Sequence, residues 1–380
     1  MRNVNLLSTA ELNSHVANGV NETKIGNLFE SNKYVLNAPE RIYDEFLFDE
    51  AAIDRFSETS FTCPEMYFYQ VPNASLLGKY LLIMSNGIAT SVDLRERDHP
   101  PQLFGSGYQR ADAGNSYSFY GTPRPCVEYK ETHFLLASNA DHMHHHWLFD
   151  VCTKIFIWDQ VLNRSCKLAI PVTAKRYQLS LYEELGIPES RITIFDPNQH
   201  SKFEELIFTP CTSQSDFIRP EPLEYIRNQL FESFSIKPSK RAPTRKVFIN
   251  RSDAKGENRS LLNEAEIEDL LLDNGFESVC PGHLSMREQV QLFLEIDVGV
   301  IVHGSGGANV LFSNPSSRFV HLHPDATRSF RSHGRVNGIY DNPYNYVLGM
   351  SFERRRRAHN NPWIVNGASV MRAIEDISSA

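Results

Sequence analysis

Two kinds of hydrophobic spacing divide the chain. Between 66 and 95 the apolar residues fall in short runs of β character: MYFYQV, LLGKYLLIM and IATSVDL. Pro72-Asn73 and Asn86-Gly87 separate them, and Asn-Gly between apolar runs predicts a hairpin. Residues 98–125, rich in Gly, Pro and Ser, read as loop. From 132 the period lengthens. THFLLA is predicted as a strand, and HHHWLFDVCTKIFIWDQVL as a helix with Trp147, Val151, Ile155 and Trp158 on one stripe. CKLAIP, a helix near 174–185, ITIF and ELIFTP follow. That alternation is the βαβαβ pattern of a parallel sheet covered by helices.

Residues 209–245 carry prolines at 210, 220, 222, 238 and 243 around one short predicted helix, EYIRNQLFESF, and read as a connection. Alternation then resumes. KVFIN is a strand. Asn263 and Glu266 predict a helix start, and Gly275 its end. FESVC is a strand, and Ser285 with Glu288 forms a capping box for MREQVQLFLEI. DVGVIV reads as a buried parallel strand, HGSGG as a turn, ANVLFS as a short helix and RFVHLH as a strand. WIVNGASVMRAIEDI at 363–377 reads as a terminal amphipathic helix.

The expected class is α/β, with two Rossmann-like domains facing a cleft and a β-rich N-terminal segment. The segment spans 1–130, with 1–60 polar and irregular. The domains span 131–215 and 216–362, and the last helix lies in 363–380. A length of 380 residues suits about two domains. Lys and Arg number 38 against 46 Asp and Glu, a net charge of −8, which argues against nucleic acid as the main partner. The first twenty residues lack the apolar core of a signal peptide or anchor, and no stretch reaches the roughly 20 apolar residues of a membrane span. Six cysteines without a CxxC pair suggest a soluble protein of a reducing compartment, its thiols acting as small core groups.

In doubly wound sheets ligands sit beyond the carboxyl ends of the strands. Those positions hold Arg251, His303 to Gly307, and His323. Glycines in HGSGGAN allow close backbone approach, Gly306 by a conformation that a β-branched residue resists, and a helix N-terminus attracts phosphate. A tight packing turn accounts for the same glycines. Arg251 suits a diphosphate through two parallel hydrogen bonds, or a surface ion pair with Asp253 or Glu257. Four histidines and an acid crowd into Asp141–Trp147, yet three consecutive histidines at a helix start point in different directions, so no metal site is expected. His146 and Asp150, one turn apart, form either a proton-accepting pair or an ordinary helix-surface pair. Arg354 to Arg357, with Arg328, Arg331 and Arg335, make a basic stretch. It is either a solvated face or a contact for anionic lipid or a diphosphate-carrying acceptor. The chain has no Asp-x-Asp, which disfavours a sugar-nucleotide enzyme that holds a divalent metal through that motif.

Together, HHWLFD (145–150), KVFINR (246–251), LLNEAEIEDLLLDNGFESV (261–279), LSMREQVQLF (284–293) and HGSGGANVLFSNP (303–315) resemble glycosyltransferase family 61. That group includes bacterial capsular polysaccharide biosynthesis proteins. Ser305 and Gly307 stand where the family commonly has Ala and Leu. The resemblance implies a GT-B architecture, inversion at the anomeric carbon, no required metal and a nucleotide-sugar donor, with a UDP-sugar expected. It places Arg251, His303, Gly304, Ser305, Gly306, Gly307 and Asn309 around the diphosphate and Glu264 on the nucleotide side. His146 and Asp150 would face the reacting sugar. The implied partner is a glycan or lipid-linked glycan acceptor, met in the cytoplasm or at the inner membrane surface. A nucleotide-sugar epimerase or pyruvyl transferase on the same architecture, or a non-catalytic glycan-binding protein, would be the other classes.

Overall fold

A computed structural model describes residues 2–7, 9–17, 23–47, 50–77, 81–83, 88–91, 108–110, 116–119, 126–138, 140–214, 217–238, 242–254, 260–324, 332–352 and 361–379. The protein is mixed α/β. Its contacts divide it into two units, Met1–Asn32 with Pro64–Gln214, and Lys33–Cys63 with Ser215–Ala380. Among the described residues no helix is long and apolar enough to cross a membrane. All six cysteines are free, and only Cys126 is exposed.

The first unit is built on four parallel strands, Cys126–Leu135, Lys167–Pro171, Ile192–Phe195 and His200–Phe208. Numbered in chain order they lie 3-2-1-4 across the sheet. The N-terminal β-rich segment is no separate layer. Met66–Leu77 pairs antiparallel with His200–Phe208, and the sheet continues through Leu81–Ile83, Ile88–Ser91, Arg2–Leu6, Ser116–Phe119 and Tyr108–Arg110. The boundary expected at 130 therefore falls inside a strand. Leu81–Ile83 and Ile88–Ser91 pair as the Asn86-Gly87 signal predicts. The turn itself lies outside the described residues, as does the expected loop at 98–125 apart from its two short strands.

Pro72-Asn73 makes no turn. The strand runs through it, with Asn73 in a left-handed conformation (φ 52°) that asparagine tolerates. Two strands away Glu131 also has positive φ (71°), where Cys126–Leu135 gains one residue against its neighbour. The bulge bends that strand. The rings of Tyr129 and His133 come within 6.1 Å, against roughly 13 Å for four residues of straight strand.

The helix predicted from 144 forms as turns of changing width. His144–His146 leads into a π turn, Trp147–Val151, then a 3-10 turn, Cys152–Lys154, and a second π turn, Ile157–Val161. The predicted stripe is buried, but so are Leu148, Phe149, Asp150, Thr153 and Lys154. The run is covered on all sides rather than on one. The fully buried Lys154 ammonium donates to the Ala137 carbonyl (2.9 Å), just past the strand Cys126–Leu135.

The second unit carries parallel strands Arg245–Ile249, Glu277–Val279, Ile296–Val302, Arg318–Pro324 and Tyr344–Ser351 in the order 2-1-3-4-5. The last of these, and the helix Ser332–Ile339, carry no clear periodicity in the sequence. Arg41–Tyr43 adds a further parallel strand, so part of the region expected to be irregular belongs to this sheet. Gly299 lets the Phe319 ring cross the strand, since a Cβ there would stand 2.7 Å from it.

Local signals explain the helices. Ser285 and Glu288 bond reciprocally at the start of Met286–Glu295. Gly275 (φ 79°) ends Glu264–Asp273, with Phe276 N–H reaching the Leu271 carbonyl. Asn263 precedes that helix, but its amide bridges both main-chain groups of Val365 instead of capping. Pro220 opens the helix Pro220–Ser233 four residues before the expected start, because proline suits the first helical turn. Trp363–Ile364 is a strand, and the terminal helix is Gly367–Ser379.

Candidate active site

In the second unit the strand order reverses between Arg245–Ile249 and Ile296–Val302, which lie side by side with Ile249 opposite Ile301. Parallel α/β sheets hold ligands beyond such a reversal. The first strand runs out into Arg251 and the other into His303–Gly307. The Arg251 N–H donates to Glu264 Oε1 (2.8 Å), and its guanidinium Nη1 donates to the His303 carbonyl (3.3 Å). Glu264, at the head of its helix, thus fixes the main chain of Arg251. His303 is buried. Its N–H continues the ladder to the Leu322 carbonyl, and its ring lies edge-on to His323 with centroids 4.5 Å apart. His323 in turn meets the ring of Phe56 at 5.0 Å.

Gly304 is extended (φ 171°), a conformation open to any residue. Space explains the glycine: a Cβ would stand 2.6 Å from Arg251 Nε. At Gly307 it would stand 2.5 Å from His333 Nδ1. Gly306 does not have the positive φ expected of it, and a Cβ there would meet Pro281 at 3.2 Å. Ser305–Phe312 forms a 3-10 helix headed by Gly304, so the Ser305 and Gly306 amides lie at its positive end. The Asn309 side chain sits in the core, with Nδ2 donating to Gln289 Oε1 at 2.6 Å. Arg335 is not part of a solvated basic face. It is buried, pairs with Glu58 at 2.8 Å and lies over the Phe61 ring. Arg328, Arg331 and Arg354 to Arg357 lie outside the described residues, as does Glu257. His321, one strand position before His323's neighbour Leu322, is fully enclosed. Burial pushes its imidazole down to about 4 despite a hydrogen bond with Asn337.

In the first unit His146 Nδ1 lies 2.8 Å from Asp150 Oδ2. The Ser213 hydroxyl donates to the other carboxylate oxygen, Oδ1. Asp150 is only 8% exposed, so the pair is no ordinary helix-surface pair. An ionised carboxylate only accepts hydrogen bonds, so Nδ1 carries the proton and Nε2 is the basic nitrogen. Of the other histidines in the run, His145 lies edge-on to Phe149, His144 sits near Trp147 and Tyr177, and His142 is exposed. Among the described residues no group of three or more His, Cys, Asp or Glu is placed to hold a metal.

Sequence reading missed Ser213, Gln289 and His333. Each meets its partner only through the fold, and no local spacing announces a contact 63 residues away.

Residues 144–320 match the family model Glycosyltransferase 61. The matched stretch runs from the histidine run into the strand Arg318–Pro324, and takes in His146, Asp150, Ser213, Arg251, Glu264 and the 303–309 loop. No curated protein matches the chain.

Proposed function

We propose that the chain is an inverting, metal-independent glycosyltransferase of the GT-B class. It moves a sugar from a nucleotide-sugar donor, a UDP-sugar, to a glycan or lipid-linked glycan in surface polysaccharide synthesis. The observation that carries this reading is the meeting of Arg251 and His303 at the strand-order reversal. A guanidinium and the head of a helix at a strand-order reversal support a diphosphate site there. The match of 144–320 to the glycosyltransferase model supports it.

The reaction needs two things of the protein. The acceptor hydroxyl must lose its proton as its oxygen bonds to the anomeric carbon. The bond from that carbon to the donor diphosphate breaks with its electron pair, and the developing charge must be received. His146, oriented by Asp150, takes the proton on Nε2 and becomes an imidazolium stabilised by the carboxylate. Arg251 and the amides of Ser305 and Gly306 receive the charge on the leaving diphosphate. Glu264 acts on the nucleotide side by fixing Arg251. Nothing in this division calls on a divalent cation. The protein would work in the cytoplasm, at the inner membrane surface where its acceptor is lipid-linked.

The test is release of nucleoside diphosphate from a panel of nucleotide sugars, with and without glycan acceptors and with EDTA. Release that depends on acceptor and survives chelation is expected. Release of none, with interconversion of the donor sugar instead, would identify an epimerase. Loss on chelation, restored by manganese or magnesium, would sink the metal-free mechanism.

A further inference from the structure

We propose that Ser213 is a positioning residue that locks the Asp150 carboxylate and, through it, the ring of His146. The inference deepens the assignment of His146 as the base and rests on it. The two oxygens of Asp150 are divided between two donors, Ser213 Oγ on Oδ1 and His146 Nδ1 on Oδ2. A carboxylate held at one oxygen can rotate about its bond to Cβ. Held at both, it cannot turn without breaking one of the two contacts, of which the Ser213 one is buried and so the stronger for its surroundings.

Ser213 is itself held. The preceding Thr212 donates to the Phe149 carbonyl (3.1 Å), Thr153 donates to the same carbonyl, and the two hydroxyls lie 2.5 Å apart. Thr153, Thr212 and Ser213 are all buried. These bonds pin the chain at 212–213 onto the π turn Trp147–Val151 that carries Asp150. Wide turns of this kind recur at functional sites because they redirect side chains that a regular helix would point elsewhere. The Ser213 proton stays on Ser213 throughout. Its work is to fix which carboxylate oxygen faces the imidazole, and so to keep the proton on Nδ1 and the lone pair on Nε2.

The experiment uses the full chain with its histidines labelled with nitrogen-15, read by two-bond proton–nitrogen correlation, which distinguishes the two neutral tautomers. The chain has 14 histidines, so the His146→Gln spectrum identifies the signals of His146. The wild type is expected to show His146 as the Nδ1–H form. Ser213→Ala should shift it to a mixture of tautomers, and Ser213→Thr, which keeps the hydroxyl, should restore it. Where Ser213→Ala fails to fold, Ser213→Cys, of similar shape but a weak donor, should show the same shift. In the diphosphate-release assay Ser213→Ala should lower kcat on the order of 10-fold, short of losing the base, with donor KM nearly unchanged, and Ser213→Thr should recover most of it. A purely structural serine would lower the melting temperature and leave the His146 signals in place. That result, with kcat unchanged in Ser213→Ala, overturns the proposal. A normal rate in His146→Gln would remove the base assignment by itself, and the tautomer measurement would still decide Ser213.

Discussion

The guanidinium of Arg251 donates to the main-chain carbonyl of His303 and so joins the ends of two neighbouring parallel strands at the point where the strand order reverses. A guanidinium carries its N–H donors in a planar fork, the geometry that matches a diphosphate. Arg251→Ala should lower kcat by roughly 10²–10³, the cost of losing one donor to a developing anion. Arg251→Lys should recover only part, because a point charge cannot make the two-pronged contact. Steady-state kinetics decide it, and a near-normal alanine variant would return Arg251 to a structural role.

Gly304 tests the same contact from the opposite side. Its backbone is extended, so Gly304→Ala should fold normally, yet the new methyl would press on the stem of Arg251. Donor affinity should fall on the order of 10-fold through displacement of the guanidinium. Gly306→Ala meets Pro281 instead and should weaken binding less. Calorimetric titration of both variants with UDP would show it, and equal effects would contradict the assignment.

The base assignment separates two residues that the sequence leaves equivalent. With both oxygens of Asp150 engaged and His146 Nε2 turned away from it, His146→Gln should cost roughly 10²–10⁴ in kcat. Asp150→Asn should cost less, through misorientation of the ring, and donor binding should hold in both. A larger loss in Asp150→Asn than in His146→Gln would make the carboxylate the base.

Stability should fall in mild acid because of His321. Its imidazole titrates near 4 in the folded chain and near 6.5 when unfolded. The unfolded state therefore binds the proton first as pH drops. Stability is full above about 6.5, is lost progressively as pH falls toward 4, and the total is on the order of 3 kcal/mol. His321→Gln, which keeps a donor for Asn337, should flatten the melting temperature between pH 7 and 5. An unchanged slope would place the acid sensitivity elsewhere.

Much of the second unit is legible because its signals are local. The Ser285–Glu288 box, Gly275 at a helix end and the apolar run DVGVIV each act over a few residues, and each forms as read. Tyr344–Ser351 escapes because it is buried along nearly its whole length and shows no alternation. The first unit is harder. Pro72-Asn73 has the local form of a turn, yet the strand Met66–Leu77 runs through it, paired on either side with His200–Phe208, a partner more than 100 residues away that no local rule contains. The site follows the same division. Arg251 and His303 are found by their places after strands, and His146 and Asp150 by helical spacing. Ser213 and Gln289 are invisible, since only tertiary packing brings them to their partners. Asn309 shows the converse: a polar residue in the right motif, turned into the core to brace it.

The most direct measurement is the shift in melting temperature on adding nucleoside diphosphates, made in parallel on the wild type and on Arg251→Ala. A ligand at 100 times its Kd stabilises a fold by about 2.7 kcal/mol, well within reach of thermal denaturation. A rise with UDP in the wild type, much reduced in Arg251→Ala at the same concentration, is the predicted result. No shift with any nucleoside diphosphate or nucleotide sugar at millimolar concentration, or the same shift in both proteins, would contradict a diphosphate site at the Arg251–His303 strand ends.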